Sequence, residues 1–281
     1  MKTLLFAPGN HPRRTEKALS LPAGGAILDL EDAVAVSEKS ATRAMVAATF
    51  GQPRAGKLYV RVNGLTTEWC HGDIAAVVLS GLDGIVLPKV EHAHELRTAE
   101  WLIGNLERER GLPVGGIDLI PIVETALGIA NLARVCRSGT RVKRLAFGAG
   151  DFTLDIGMVW TRSEAELLPY RSACVMQSRA AGMEPPLDTV WADLRDMEGF
   201  IASAKHAAAL GFQGKMCIHP DQIAPANAAF TPDEAAVAHA HRIVAAFGEA
   251  EAKGLASIQL EGQFIDYPIV QRARRVLESV R

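Results

Sequence analysis

Two carboxylates stand at the ends of neighbouring apolar runs in the middle of the chain. Glu124 follows the run at 118–123, and Asp151 follows the run at 142–147 and a Gly-Ala-Gly turn. In a parallel sheet or barrel, the carboxyl ends of the strands lie on one face, so the two side chains can converge. Mg²⁺ usually takes one or two protein carboxylates and leaves its other positions to substrate and water. We therefore predict a metal site, with helix capping as the alternative for both residues.

The composition is that of a globular α/β protein with a large core. The chain has 281 residues, of which 48% are apolar and 22% charged. Its 30 basic and 32 acidic residues give a net charge of −2, so we expect no nucleic acid or membrane partner. Its 4 cysteines form no C-x-x-C pair, and neither a signal-peptide core nor a membrane-spanning run is evident. We therefore expect a cytoplasmic protein with a small ligand.

Short apolar runs alternate with longer amphipathic segments along most of the chain. Eight strands are predicted, at residues 3–7, 25–30, 57–63, 84–88, 118–123, 142–147, 188–192 and 215–218. Such alternation is typical of a (β/α)8 TIM barrel. A doubly wound sheet also alternates, but no G-x-G-x-x-G follows the first strand. We predict an α/β fold with a TIM-barrel catalytic domain at 1–224 and a C-terminal helical and extended arm at 225–281, which covers its own active site or a neighbour's.

Polar residues gather at the carboxyl ends of the other predicted strands, where TIM-barrel chemistry takes place. The candidates are Pro8, Gly9, Asn10, Asp29, Glu31, Asp32, Arg61, Asn63 and Lys89. The two-residue period of a strand directs Asp29 and Glu31 to one face, whereas a solvated acidic loop is the alternative. Arg61 lies within an apolar strand, which favours binding of a carboxylate or thioester oxygen over a purely structural ion pair.

Eight short stretches occur in a characteristic order and spacing. They are F-A-P-G-N at 6–10, D-L-E-D-A-V at 29–34, R-V-N-G at 61–64, L-P-K at 87–89, I-V-E-T-A at 122–126, F-G-A-G-D at 147–151, G-K-M-C-I-H-P at 214–220 and E-G-Q-F-I-D at 261–266. Together they resemble the citrate lyase β-subunit-like (CitE-like) branch of the HpcH/HpaI aldolase superfamily, which includes malyl-CoA and citramalyl-CoA lyases. The resemblance covers nearly the whole chain.

The resemblance implies roles for particular residues. It implies that Glu124 and Asp151 hold Mg²⁺ and that Arg61 contacts the oxoacid and the thioester oxygen. It also implies a homo-oligomer, a trimer or hexamer, in which the C-terminal arm reaches over a neighbouring subunit and brings Asp266 as the acid/base. The family usually has D-G-K before this aspartate, whereas E-G-Q stands here, so the chain offers no lysine at that position.

The implied function is that of a carbon–carbon lyase. It would cleave a 3-hydroxyacyl-CoA thioester, of the citramalyl-CoA or malyl-CoA type, to acetyl-CoA and pyruvate or glyoxylate. Gly9, Asn10, Arg13 and Lys17, near the barrel mouth, are expected to meet the CoA phosphates, unless the basic first helix is ordinary surface. Three alternatives stay open: a citryl-thioester lyase β subunit acting on an acyl-carrier protein, a malyl-CoA thioesterase, and a non-catalytic barrel.

Overall fold

Eight parallel strands close into a barrel in their sequence order, as a computed structural model describing residues 1–280 shows. The strands are β1 Thr3–Pro8, β2 Gly25–Asp29, β3 Lys57–Arg61, β4 Gly84–Leu87, β5 Asp118–Val123, β6 Ala146–Phe147, β7 Leu187–Asp188 and β8 Gly214–Cys217. Each strand pairs in parallel with the next, and β8 pairs with β1. The predicted TIM barrel is therefore confirmed.

Helices follow the strands and pack around them. They are α1 Pro12–Ser20, α2 Lys39–Ala47, α3 Cys70–Val77, α4 Ala93–Glu109, α5 Ala126–Ala130, α6 Leu132–Cys136, α7 Ala149–Asp155, α8 Leu168–Ala180, α9 Met197–Leu210, α10 Ile223–Ala229, α11 Glu234–Glu251 and α12 Tyr267–Glu278. None of the helices within residues 1–280 has the length and hydropathy needed to cross a bilayer.

The strand period decides which side chains face the interior of the barrel. An apolar layer inside it includes Ile27 of β2, Tyr59 of β3 and Ile122 of β5. In the β2–β3 register Asp29 lies opposite Arg61, two residues beyond Ile27 and Tyr59. Because side chains two apart on a strand share a face, Asp29 and Arg61 point inward at the carboxyl end. Glu124, the residue directly after β5, is two residues beyond Ile122. The same period therefore directs its side chain toward the barrel interior.

Strands β6 and β7 differ most from the predicted ranges, while β2, β3 and β4 end one or two residues earlier than predicted. β6 covers only Ala146–Phe147 of the predicted 142–147, and β7 is Leu187–Asp188 where 188–192 is predicted. The hydroxyl of Thr189 accepts a hydrogen bond from Ala149 N at 2.8 Å, so this side chain takes up an amide beyond the end of β6. Before β6, the side chain of Arg144 forms ion pairs with Asp118 and Glu184, and the backbone makes isolated hydrogen bonds, such as Leu187 N to Leu145 O at 2.9 Å.

The helices around β6 also differ from the prediction. The amphipathic pattern at 125–136 predicts a single helix, but the structure has two short helices there, α5 and α6, which meet at Asn131. The Nδ2 atom of Asn131 donates to Glu91 O at 3.1 Å, which ties this junction to the loop after β4. The helix α7, which the sequence pattern does not predict, begins directly after Gly148 and carries Asp151 in its first turn.

The chain from Ala228 onward forms a second compact unit. It contains α11, an antiparallel hairpin of β9 (Ser257–Leu260) and β10 (Gln263–Asp266), and α12. The predicted extended arm is thus a hairpin, whose turn is Glu261-Gly262, with φ of 51° and 84°. Two consecutive positive φ values are typical of a tight two-residue hairpin loop, and glycine adopts such a conformation without steric cost. The unit has its own apolar core, with Phe247 and Ile265 fully buried.

Candidate active site

Arg61 is held by two inward-facing carboxylates at the end of β3. Its Nε and Nη2 atoms donate to the two carboxylate oxygens of Asp29 at 2.8 and 2.6 Å. Its Nη1 atom lies 2.9 Å from Glu31 Oε2, and the guanidinium carbon stands 4.9 Å from the Phe6 ring centroid. Because the planar guanidinium matches a carboxylate in a two-bond fork, this arrangement fixes the orientation of the group and not only its position.

The two carboxylates beside Arg61 differ in their proton affinity. Burial alone would raise the pKa of Asp29, but the charge and hydrogen bonds of Arg61 outweigh burial and lower it. Burial raises the pKa of Glu31, and the nearby Arg61 and Lys89 only partly offset that effect. Asp29 is therefore the permanent counter-charge of Arg61, whereas Glu31 holds a proton more readily than an ordinary glutamate.

Lys89 connects the acidic residues through its backbone and its side chain. Its ammonium lies 2.6 Å from Glu31 Oε1 and 3.2 Å from Asp151 Oδ2, and its backbone N donates to Glu124 Oε1 at 2.9 Å. Its φ is 53°, a left-handed conformation that costs a non-glycine residue about 1–3 kcal/mol. This conformation allows one residue to contact three carboxylates. Burial opposes the charge of Lys89, but Glu31 and its neighbours raise the pKa of the ammonium.

Glu124 and Asp151 lie on the same rim of the barrel. Glu124 directly follows β5 and is buried, whereas Asp151 is partly exposed in the first turn of α7. The side chain of Glu124 packs so closely on Gly148 that any Cβ there would overlap it. Glycine at 148 thus allows the chain to pass from β6 into α7 beside Glu124. Lys89 contacts both Glu124 and Asp151.

The donor set fits a hard divalent cation. Five carboxylates gather at this rim with two basic groups; the acids are Asp29, Glu31, Asp32, Glu124 and Asp151, and the bases are Arg61 and Lys89. Within residues 1–280, Glu124 forms no ion pair, and burial raises its pKa to about 8. No group of three or more His, Cys, Asp and Glu side chains in the described chain has the geometry of a protein-only metal cage. Two carboxylates with substrate and water completing the shell remain compatible with Mg²⁺.

We predict that Mg²⁺ affinity rises with pH up to about 8. Because Glu124 must be ionised to bind a cation, its raised pKa of about 8 makes binding release a proton below that pH. Affinity should therefore fall by up to about tenfold for each pH unit below 8. Calorimetric titration with Mg²⁺ in two buffers of different ionisation enthalpy measures both the affinity and the protons released. A flat affinity without proton release would contradict the role of Glu124.

The residues after β1 have mainly close-packing contacts. A Cβ at position 9 would stand 2.7 Å from both Asp29 O and Val46 Cγ2, and Gly9 N donates to Asp29 O at 2.9 Å. Gly9 therefore brings the β1–α1 turn against the end of β2. Asn10 donates from Nδ2 to Glu38 Oε2 at 2.7 Å, and its Oδ1 is buried without a hydrogen-bond partner in the described structure.

Asn63, a candidate for substrate binding, is buried and its amide is engaged within the protein. Its Nδ2 donates to Leu30 O at 2.9 Å and Asp73 Oδ2 at 2.6 Å, and its Oδ1 accepts from Lys39 Nζ at 2.8 Å. This placement favours a supporting role for Asn63. Lys39 and Asp73 are absent from the sequence-based candidates, because a lysine at the start of an amphipathic helix normally faces solvent.

Basic residues of α1 border a cleft beside β1. The cleft has a volume of about 500 Å³ and is lined by Pro8, Arg13, Arg14, Lys17 and His219, among others. Three exposed cations on one helix face can attract an anion such as a phosphate group. Arg14 is not among the sequence-based candidates, although the α1 spacing that places Arg13 and Lys17 on one face also brings Arg14 near them.

Asp32 and Asp266 are the remaining sequence-based candidates. Asp32 is exposed, with carboxylate oxygens 3.7 Å from Lys89 Nζ and 3.8 Å from Arg61 Nη1. Asp266 belongs to the second unit, where its Oδ1 caps α12 by accepting from Ile269 N at 3.2 Å. The structure thus gathers the acidic and basic barrel residues at one rim, and it places Asp266 in a separate unit.

A closed parallel barrel with carboxylates and a fixed arginine at the carboxyl ends of its strands defines the class of TIM-barrel enzymes. The family model described as HpcH/HpaI aldolase/citrate lyase matches residues 2–220. The chain therefore belongs to the HpcH/HpaI aldolase/citrate lyase family. This membership confirms the predicted class of enzyme, a carbon–carbon lyase.

Three relatives illustrate the similarity. Citrate lyase subunit beta of Leuconostoc mesenteroides subsp. cremoris is 37% identical over 279 residues, which cover 99% of this chain and 92% of the relative. The mitochondrial citramalyl-CoA lyase of Rattus norvegicus is 30% identical over 293 residues, covering 98% of this chain and 85% of the relative. The crystal structure of CitE from Mycobacterium tuberculosis in complex with magnesium, acetoacetate and coenzyme A has a TM-score of 0.81 and 28% identity, covering 99% and 97% of the two chains.

Proposed function

We propose that this protein is a Mg²⁺-dependent lyase that cleaves a 3-hydroxyacyl-CoA thioester of the citramalyl-CoA or malyl-CoA type. The products are acetyl-CoA and a 2-oxoacid, pyruvate or glyoxylate. The observation that carries the proposal is the combination on one rim of Glu124, a buried carboxylate that forms no ion pair within residues 1–280, and an oriented guanidinium, Arg61. The reaction develops negative charge at two places: Arg61 would stabilise one of them, and the ion that Glu124 would help to hold would stabilise the other.

Glu124 and Asp151 are the residues that would hold the ion. When bound there, Mg²⁺ supplies a Lewis acid for the hydroxyl and carboxylate oxygens of the oxoacid half of the substrate. The surplus of acids over bases at the rim supports this assignment, since a divalent cation offsets negative charge that Arg61 and Lys89 leave uncompensated.

Arg61 would stabilise the other developing charge. As the C2–C3 bond breaks, the C3 hydroxyl gives its proton to water and becomes a ketone, and the electrons of the C2–C3 bond pass into the enolate of the acyl thioester. The guanidinium is already oriented by Asp29 and Glu31, so it donates to the enolate oxygen without reorganisation. A preorganised donor of this kind accounts for about 3–4 kcal/mol of transition-state stabilisation.

Asp266 would protonate the enolate carbon, and a neighbouring copy of the chain would supply it. We predict that Asp266→Asn lowers turnover at least about a hundredfold, because the amide keeps the α12 cap but transfers no proton. An equal mixture of Asp266→Asn and Glu124→Gln chains, assembled together, should then recover about a quarter of the wild-type rate, since random assembly combines two intact residues in that share of sites. Steady-state assays of the separate and mixed variants measure both effects.

Two controls accompany this experiment. Asp233 caps α11 by accepting from Ala236 N at 2.7 Å, so Asp233→Asn changes the same kind of cap and should leave turnover unchanged. The second control mixes Glu124→Gln chains with chains that carry both Glu124→Gln and Asp266→Asn. No site in this mixture has an intact Glu124 together with an intact Asp266, so it should stay inactive. Absence of recovery in the first mixture would exclude a site shared between copies.

The basic cleft beside β1 would receive the CoA phosphates, with Arg13 and Lys17 as the predicted contacts and Arg14 as a further one. Incubation of the protein and Mg²⁺ with a panel of hydroxyacyl-CoA thioesters tests the function directly. Release of a 2-oxoacid with acetyl-CoA is expected from a citramalyl or malyl thioester. Release of free hydroxyacid and CoA would indicate a thioesterase, and no turnover of any thioester would contradict the proposal.

The second candidate function is cleavage of a citryl thioester on an acyl-carrier protein. It is favoured by the 37% identity to a citrate lyase subunit beta, compared with 30% to a citramalyl-CoA lyase. A competition assay with the same acyl group on CoA and on a carrier protein separates the two. A higher kcat/KM for the carrier-bound citryl group would replace the first proposal with the second.

A further inference from the structure

A buried lysine lies directly behind the acidic loop that follows β2. Lys39 begins α2 and is only 6% exposed. Its Nζ donates to Leu30 O at 3.1 Å, to Glu31 O at 2.7 Å and to Asn63 Oδ1 at 2.8 Å. These three hydrogen bonds use every donor of the ammonium. Lys39 thus joins the backbone after β2 to Asn63, which lies shortly after β3.

The partners of Lys39 are all uncharged. Within residues 1–280 its ammonium forms no ion pair; besides the three oxygens, it lies 5.4 Å from the centroid of the Trp69 ring. Burial of an ammonium among neutral groups costs free energy that a neutral side chain would avoid. The three hydrogen bonds offset part of this cost, and they hold the chain after β2 against Asn63.

Asn63, one of the residues that Lys39 contacts, is itself held by hydrogen bonds to Asp73. Asp73 accepts from Asn63 N at 2.9 Å and from Asn63 Nδ2 at 2.6 Å through one carboxylate oxygen. Its other oxygen accepts from Arg43 Nε at 2.7 Å. The network therefore runs from α2 and α3 to the ends of β2 and β3 and leaves Lys39 little freedom to move.

We infer that Lys39 is a positioning residue for the active site. By fixing the backbone at Leu30 and Glu31, it keeps the Glu31 carboxylate between two cations. One oxygen of Glu31 lies 2.9 Å from Arg61 Nη1, and the other lies 2.6 Å from Lys89 Nζ. Lys39 thus acts on the reaction through the bridge that Glu31 forms between Arg61 and Lys89.

The inference deepens the proposed function and rests on it for its kinetic readout. Lys39→Met removes the ammonium and keeps an unbranched side chain of similar length against Trp69. We expect kcat to fall about tenfold to a hundredfold, with KM for the thioester changed less than about threefold, because orientation of Arg61 matters most in the transition state. Lys39→Arg, which keeps the charge and donors, should regain most of the lost kcat. Lys205, exposed on α9, offers the control variant Lys205→Met, which should behave as wild type.

A crystal structure of Lys39→Met gives a readout that is independent of turnover. We expect the Glu31 carboxylate to leave Arg61, Lys89 or both. A variant in which Glu31 still bridges both cations, or in which kcat is unchanged, would overturn the inference, as would equal loss of kcat in Lys39→Met and Lys39→Arg with both chains folded. If the wild-type protein cleaves no thioester, the proposed function fails, and the position of Glu31 in the variant structure still decides the role of Lys39.

Discussion

Glu124→Gln should abolish Mg²⁺-dependent cleavage while the barrel remains folded. The glutamine has the same shape and can still accept the hydrogen bond from Lys89 N, so β5 and the adjacent turn keep their contacts. It cannot bring negative charge to the ion, and loss of metal assistance costs several kcal/mol of transition-state stabilisation. Turnover should fall at least about a thousandfold. Steady-state kinetics over a range of Mg²⁺ concentrations measures the effect, and calorimetry should show Mg²⁺ binding lost.

The same substitution should raise the stability of the metal-free protein at alkaline pH. Burial raises the pKa of Glu124 from an ordinary value of 4.5 to about 8, so the folded state binds the proton more tightly than the unfolded chain does. The wild type therefore loses stability as pH rises from about 4.5 to about 8, whereas glutamine has no proton to lose. Melting temperatures of the two metal-free chains should coincide at acid pH and diverge in favour of the variant near pH 8.

Glu109→Gln, an exposed change at the end of α4, is the matched control for Glu124→Gln and should leave turnover, Mg²⁺ affinity and melting temperature unchanged. Wild-type rates in Glu124→Gln at limiting Mg²⁺ would contradict the metal site. A lower melting temperature of that variant at pH 8 would contradict the raised pKa of Glu124.

Arg61→Lys should reduce kcat about a hundredfold to a thousandfold although the positive charge is kept. Lysine has a single flexible ammonium, so it cannot maintain the two-bond fork to Asp29 and also present an oriented donor to the enolate. We expect a smaller change in KM, because the lost interaction is stronger in the transition state than in the bound substrate. Stopped-flow or coupled assays on the best thioester of the panel measure both constants.

Arg141 provides a control with the same geometry and no expected catalytic role. It precedes β6, and its guanidinium forms hydrogen bonds with Glu100 and Glu107. Arg141→Lys should therefore lower the melting temperature about as much as Arg61→Lys does and leave kcat unchanged. Equal losses of kcat in the two variants would indicate that Arg61 matters only for stability.

The barrel and much of its rim could be predicted from the sequence, because both follow from the regular spacing of apolar and polar residues along the strands and helices. The two-residue period of β2 predicts that Asp29 and Glu31 share a face, and both contact Arg61 in the structure. The contacts of Lys89 could not be predicted, since they depend on a left-handed backbone at a non-glycine residue, for which the sequence carries no signal. Lys39 was missed for a related reason: the start of a helix does not reveal which of its long side chains turns inward.

The limits of strands β6 and β7 are predicted less well, because isolated backbone hydrogen bonds precede β6 and a side chain accepts the amide after it. Thr189 takes the amide of Ala149, and α7 begins where an apolar run alone gives no reason for a helix. This detail matters for the site, since α7 positions Asp151. The role of Asp266 remains a prediction that depends on the family pattern, and its contact with Ile269 N indicates why asparagine is the appropriate replacement.

The left-handed backbone at Lys89 has a consequence for the choice of ion. One residue contacts Glu124 with its backbone and Asp151 with its side chain, so the separation between the two acids depends on a conformation with little freedom to adjust. Mg²⁺ requires oxygen ligands at about 2.0–2.1 Å in a near-ideal octahedron, whereas Ca²⁺ accepts more ligands at about 2.3–2.6 Å. Donors held at a set spacing distinguish cations of equal charge by their radius. We therefore expect Lys89, although it binds no metal itself, to influence the size of ion that the proposed site binds.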